Sequence, residues 1–276
     1  MNVAINAVVP LLILIFLGYL SRKLNILKAG DERVLAAYVY YFALPSLFVI
    51  EISKIKFTEE ILLFIIAGFL PLLILLTFYT VIYKIFKMQR DVFYLISLST
   101  IFGSLAFFGI PFITFAMPAG EELATLAAGM ISMVAVSIAI TMLEMYGMKK
   151  VSKSIRRVAK RLLKNPLIIS ILIGLFFSLI GIKLPSVVEL SLHMFGRSTS
   201  VVAIFMLGVF LYGRKYKNLH IAFGLSLLRM ILLPMVAFII TIFLQFNKLQ
   251  ATIIILMNAM PMAVSMIVLS YRYKFF

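Results

Sequence analysis

The chain has 276 residues, 64% of them apolar and 13% charged, against about 45–50% and about 25% in soluble proteins. So little polar surface cannot coat a water-soluble globule, which leaves lipid as the main solvent. The formal charge of +16 would suggest nucleic acid in a soluble protein, but here the basic residues sit in short connections and build no binding face. With no cysteine and only His193 and His220 as histidines, thiolate chemistry and clustered metal ligands are excluded, so neither a metal nor a cofactor is expected.

Taken in chain order, apolar runs predict nine membrane helices: about 3–20, 34–51, 61–83, 92–116, 123–147, 166–182, 186–212, 220–245 and 250–270. The runs are continuous, which matches helices and not the alternation of a membrane barrel. The opening Met1-Asn2-Val3-Ala4 lacks a basic segment, so the first span reads as a true span and not a cleavable signal. Tyrosine must supply the interfacial belt, because there is no tryptophan.

Basic residues alternate from one connection to the next. Those after spans 1, 3, 5 and 7, with the tail after span 9, carry 20 Lys and Arg; those after spans 2, 4, 6 and 8 carry four. This bias predicts a plasma-membrane protein with its N-terminus outside and its basic loops in the cytoplasm, against anionic lipid.

The longest basic stretch, 148–165, divides the chain. It reads as a solvated cytoplasmic linker between residues 1–147 and 166–276. The punctuation on its two sides matches: Pro10 and Gly18 correspond to Pro166 and Gly174, and Pro111 to Pro261. Spans 1 and 4 then correspond to spans 6 and 9, five apart, so the second copy enters the membrane inverted. Inverted repeats mark secondary transporters.

Spans 4 and 9 carry the sharpest signals, Phe102-Gly103-Ser104 through Gly109-Ile110-Pro111 and Asn258-Ala259-Met260-Pro261 through Ser265. A mid-helix proline removes an amide donor and crowds the carbonyl four residues back, and glycine weakens the same turn. Two such breaks at equivalent depths predict interrupted helices that cross near the midplane. Their half-helix N-termini would bring partial positive charge to one point, an anion site that needs no charged side chain. The candidate substrate contacts are Gly103, Ser104, Gly109, Ile110, Pro111, Asn258, Ala259, Met260, Pro261 and Ser265. Pro45, Pro71 and Pro234 are expected only to kink packed helices.

Ionisable residues inside the membrane are functional suspects by default. Glu144 and Arg229 both lie towards the cytoplasmic ends of their spans, as a candidate pair. Glu189, His193 and Arg197 fall at i, i+4 and i+8 on one face of span 7. They read as a headgroup-facing stripe, with a subunit contact or a proton-linked element as alternatives. Neither broken span contains Asp or Glu, which argues against an ion site built on a titrating carboxylate.

These residues in this order resemble the auxin efflux carrier family in its broad sense, which includes the malonate-type permeases of bacteria and archaea. Val9-Pro10 to Gly18-Tyr19, Tyr41-Phe42-Ala43-Leu44-Pro45, Gly109-Ile110-Pro111, Lys164-Asn165-Pro166-Leu167-Ile168, Leu207-Gly208 and Ala259-Met260-Pro261 carry the match along nearly the whole chain. The resemblance implies an all-α polytopic fold of five plus five helices in inverted repeats, with crossed broken helices 4 and 9. Spans 1, 2, 6 and 7 would form a scaffold that can pair as a homodimer. The remaining spans would carry an organic anion by an elevator-like shift. Three departures stand out: Gly103 replaces a common asparagine, Val201 replaces a common proline, and the tenth span is expected to be absent, since an equal length past Pro261 would run beyond Phe276.

The leading functional expectation is therefore a secondary transporter of a small organic anion such as a carboxylate. A non-transporting membrane subunit or sensor on the same fold is the first alternative. An intramembrane enzyme is the weakest, because no nucleophile has an evident base.

Overall fold

The computed structural model describes residues 3–147, 160, 163–213 and 219–263. Its described residues are helical apart from short connections and form no strand. The first span is α1 (Val3–Lys23); the second is α2 (Asp31–Tyr38), which passes through a π turn (Val39–Ala43) into α3 (Leu44–Lys54). The third is α4 (Glu59–Ile85). The fourth is split into α5 (Arg90–Ile101) and α6 (Ile110–Ala116), and the fifth is α7 (Glu121–Gly147). The later spans are α8 (Pro166–Ile180), α9 (Ser186–Leu211), α10 (Leu219–Phe243) and α11 (Lys248–Asn258). Among the described residues, five segments are long and apolar enough to cross a membrane: Asp31–Lys54, Glu59–Ile85, Pro118–Leu143, Ser186–Leu211 and Leu219–Phe243. The protein is a multi-pass, all-α membrane protein, as its composition requires.

Prolines shape the helices in two ways. Pro10, Pro71 and Pro234 sit inside α1, α4 and α10, which run on past them. Pro45 and Pro111 each follow directly on a π turn, Val39–Ala43 and Leu105–Gly109. The wider ring of a π turn moves the carbonyl four residues back away from the proline ring, so the chain stays helical through the proline.

Contacts divide the chain into two compact units, each drawing on both halves of the sequence. The first comprises Met1–Thr58, Ala106–Gly129 and Pro166–Lys217. Its seams are built on glycine. A side chain added at Gly18 in α1 would strike the Phe205 carbonyl of α9, and one at Gly208 in α9 would strike the Ile15 carbonyl of α1. The two backbones therefore touch, with each glycine receiving the other helix. Gly174 does the same for α8 against α3: its added Cβ would lie 2.9 Å from the Ile52 Cβ and 3.0 Å from the Phe48 carbonyl oxygen.

The second unit comprises Glu59–Leu105, Met130–Asn165 and Asn218–Phe276. Here α4 turns Phe64, Ala67, Leu72 and Leu75 inward, and α10 turns Arg229, Leu233 and Ala237 inward. Its outward face, with Met235, Phe238, Ile239 and Ile242, is exposed and apolar, as lipid contact demands. Asn247 caps α11 by accepting the Gln250 amide at 3.0 Å. Two polar ties then hold α11 to α4. Gln250 Nε2 donates to Glu60 Oε1 at 2.8 Å, and buried Asn258 Nδ2 donates to the Gly68 carbonyl at 3.1 Å.

Gly18→Val and Gly208→Val should each lower stability by about 1–3 kcal/mol, because the added methyls have no space between touching backbones. Gly224 has no neighbour within 4 Å of an added Cβ, so Gly224→Ala should leave the thermal midpoint unchanged in the same melt.

Candidate functional site

The helix of span 4 is interrupted, the described helix of span 9 stops at Asn258, and the segments that follow the two helix ends meet. α5 ends at Ile101 and the helical path resumes at Leu105; α11 ends at Asn258, and the chain turns at Ala259 and is non-helical through Ala263. Gly103 and Met262 form an antiparallel bridge. The Ser104 amide donates to the Pro261 carbonyl at 2.9 Å, and the Ala263 amide donates to the Phe102 carbonyl at 2.8 Å. Backbone groups freed by interrupting a helix are costly inside a membrane unless protein satisfies them. Here each segment satisfies backbone groups of the other.

The two prolines hold different places. Pro261 lies within its break and supplies one of the bridging carbonyls. The break in span 4 falls at Phe102–Ser104, ahead of Pro111. The π turn lets Pro111 enter as the second residue of α6, where no amide donor is needed.

Arg229 is the residue that sequence reasoning missed as part of this site. It is 1% exposed. Its Nε donates to the Met260 carbonyl at 2.7 Å, and its Nη1 donates to the Thr100 carbonyl. Thr100 stands in the last turn of α5, and Met260 lies just past the end of α11. The guanidinium thus caps the carbonyl ends of two half-helices, where the helix dipole favours a cation. The Thr100 hydroxyl donates to the Tyr79 hydroxyl at 3.3 Å, which adds α4 to the cluster. The available signal was a lone arginine in an otherwise apolar span; its partners could not be read, because they are backbone atoms of two distant segments.

Gly103 makes the room. A Cβ built on it would lie 2.6 Å from the Arg229 Cζ and would overlap Nη2. The glycine that stands where an asparagine was expected thus leaves a space that the guanidinium occupies.

The structure groups Gly103, Ser104, Met260 and Pro261 with Arg229. Asn258 and Ala259 form the end of α11 beside them, and Asn258 is 1% exposed. Gly109, Ile110 and Pro111 fall in the first compact unit, with Ile110 and Pro111 buried. Ser265 and the Glu144 side chain lie outside the described residues, so the expected Glu144–Arg229 pair does too. The described ion pairs join Lys54 to Glu51 and to Glu189.

His193 and Arg197 belong to the first unit. They line a cavity of about 280 Å³ together with Glu51, Glu121 and Glu122. The Glu189–His193–Arg197 face of α9 is thus associated with acidic side chains, through Lys54 at one end and this cavity at the other.

A family model described as "Membrane transport protein" matches residues 3–276. The chain belongs to this family. The match bears out the resemblance to auxin efflux carriers read from the sequence. The chain is also 26% identical over 285 residues to the Uncharacterized transporter MJ1031 of Methanocaldococcus jannaschii, covering 99% of this chain and 90% of that protein. Both similarities are to transporters, and neither fixes a substrate.

Gly103→Ala should lower stability by about 1–3 kcal/mol, because its methyl drives into the guanidinium. The cost should shrink towards zero in an Arg229→Ala background. A double-mutant cycle on thermal midpoints measures that coupling.

Proposed function

We propose that this transporter carries a small organic anion, bound where the broken helices of spans 4 and 9 cross. The observation that carries the reading is the buried Arg229 guanidinium at that crossing. Two backbone carbonyls orient the group but carry no net charge to cancel it. A carboxylate has the complementary charge and the geometry to take two of its N–H bonds. The sequence expectation drew the positive potential from amide ends alone; the arginine supplies a full charge beside them. Substrate contacts then come from Gly103, Ser104, Met260 and Pro261 with Arg229.

The mechanism we propose is an elevator-like alternation. Spans 1, 2, 6 and 7 fall in one compact unit together with Ala106–Gly129 of spans 4 and 5, while spans 3, 8, the first half of span 4 and the described part of 9 fall in the other with Arg229. The separation of spans 1, 2, 6 and 7 from spans 3 and 8 supports a scaffold and a carrier. An inverted repeat is supported by matched packing. Gly18 lies eight residues after Pro10 and seats α1 on α9; Gly174 lies eight residues after Pro166 and seats α8 on α3. In this reading the basic connections lie in the cytoplasm of a plasma-membrane protein.

Pro261→Ala places an amide donor within the break of span 9, next to the bridging carbonyls. It should cut flux in proteoliposomes by at least about tenfold, which is 1.4 kcal/mol in barrier height, while the protein remains folded. Undiminished flux would refute the crossing as the carrier site. In a thermal-shift panel, dicarboxylates or aromatic carboxylates should raise the midpoint and uncharged analogues should not.

A further inference from the structure

Carriers with broken helices commonly place a free sodium ion or proton among unwound carbonyls and half-helix C-terminal ends. This protein has such carbonyl ends, at Thr100 in the last turn of α5 and at Met260 just past α11, and a side chain already occupies them. Among the described residues of the two spans the carboxylate is Asp91, in the first turn of α5 at the opposite end from Thr100, where it accepts from the Tyr146 hydroxyl. Gly103 lacks the Cβ that would exclude the guanidinium. Arg229 itself projects from a third helix, α10, whose opposite face is exposed and apolar, so the charge reaches the crossing on a covalent tether.

We propose that Arg229 is a built-in cation that holds the position a free coupling ion would take between the carbonyl ends of α5 and α11. The inference rests on the crossing being the carrier site, and it assigns how that site is kept positive: no co-bound cation is needed for the anion to bind. Removing the side chain then leaves two bare carbonyl oxygens and a space shaped for a guanidinium, which a free cation of the same form can refill.

The full-length protein in nanodiscs tests this by thermal unfolding, with chloride salts of guanidinium, sodium and choline compared at equal ionic strength and millimolar concentration. Wild type should give one midpoint in all three. Arg229→Ala should unfold at a lower temperature in choline. Guanidinium should then raise its midpoint by about 3–6 °C for each tenfold increase above the dissociation constant. An alanine variant indifferent to guanidinium would overturn the proposal, and so would a wild type stabilised by sodium over choline. If the alanine variant yields no folded protein, Arg229→Lys decides. It keeps the tethered charge, so a midpoint within a few degrees of wild type supports the role of a cation, and a collapse like that of alanine overturns it. None of these measurements uses flux or a substrate. A carrier reading that failed in proteoliposomes would therefore leave this result standing, and the reverse also holds.

Discussion

Two backbone hydrogen bonds, exchanged between Phe102–Ser104 and Pro261–Ala263, are the constraint on which the second compact unit depends. Stopping a helix inside a membrane exposes amides and carbonyls that lipid cannot satisfy. A chain with one broken span would have to hide those groups against side chains or water. Among the described residues two helices stop here, and an antiparallel backbone exchange between the segments that follow them meets part of the need. The pairing fixes which residues lie opposite each other, Gly103 against Met262, and so fixes what can approach the crossing.

Arg229 follows from the same constraint. A charged side chain at membrane depth costs about 2.5–3.5 kcal/mol on insertion scales, and it persists where carbonyl ends point at it. The half-helices provide those ends, and the guanidinium in turn satisfies carbonyls that the breaks leave over. Gly103 completes the arrangement by contributing nothing but volume. The three features are mutually dependent: the space is useful only to the arginine, the arginine is tolerable only at the carbonyls, and the carbonyls are free only because the helices stop. That dependence keeps a buried guanidinium at the meeting of the two helix ends in an otherwise apolar protein.

The first compact unit is held by a different principle. Its seams at Gly18, Gly208 and Gly174 bring helix backbones into contact, where dispersion and close fit replace the hydrophobic effect that lipid removes. In the second unit polar ties, among them Gln250 to Glu60 and Asn258 to Gly68, and the backbone bridge add to the apolar packing of α4 and α10.

Much of this was legible in the chain itself. Continuous apolar runs specify membrane helices because only a helix satisfies its own backbone in lipid, and Pro261 with the glycine-rich stretch at Gly103 marks spans that cannot run unbroken. The order of the motifs from Val9-Pro10 to Ala259-Met260-Pro261 was enough to indicate the transporter family. What the sequence could not determine is where the freed backbone groups go. The break in span 4 lies ahead of Pro111, because a π turn absorbs that proline. Arg229 belongs to the crossing, because its partners are carbonyls of segments far away in the chain. Periodicity reports which face of a helix is apolar; it carries no record of which distant carbonyl a side chain will reach, and only packing in three dimensions decides that.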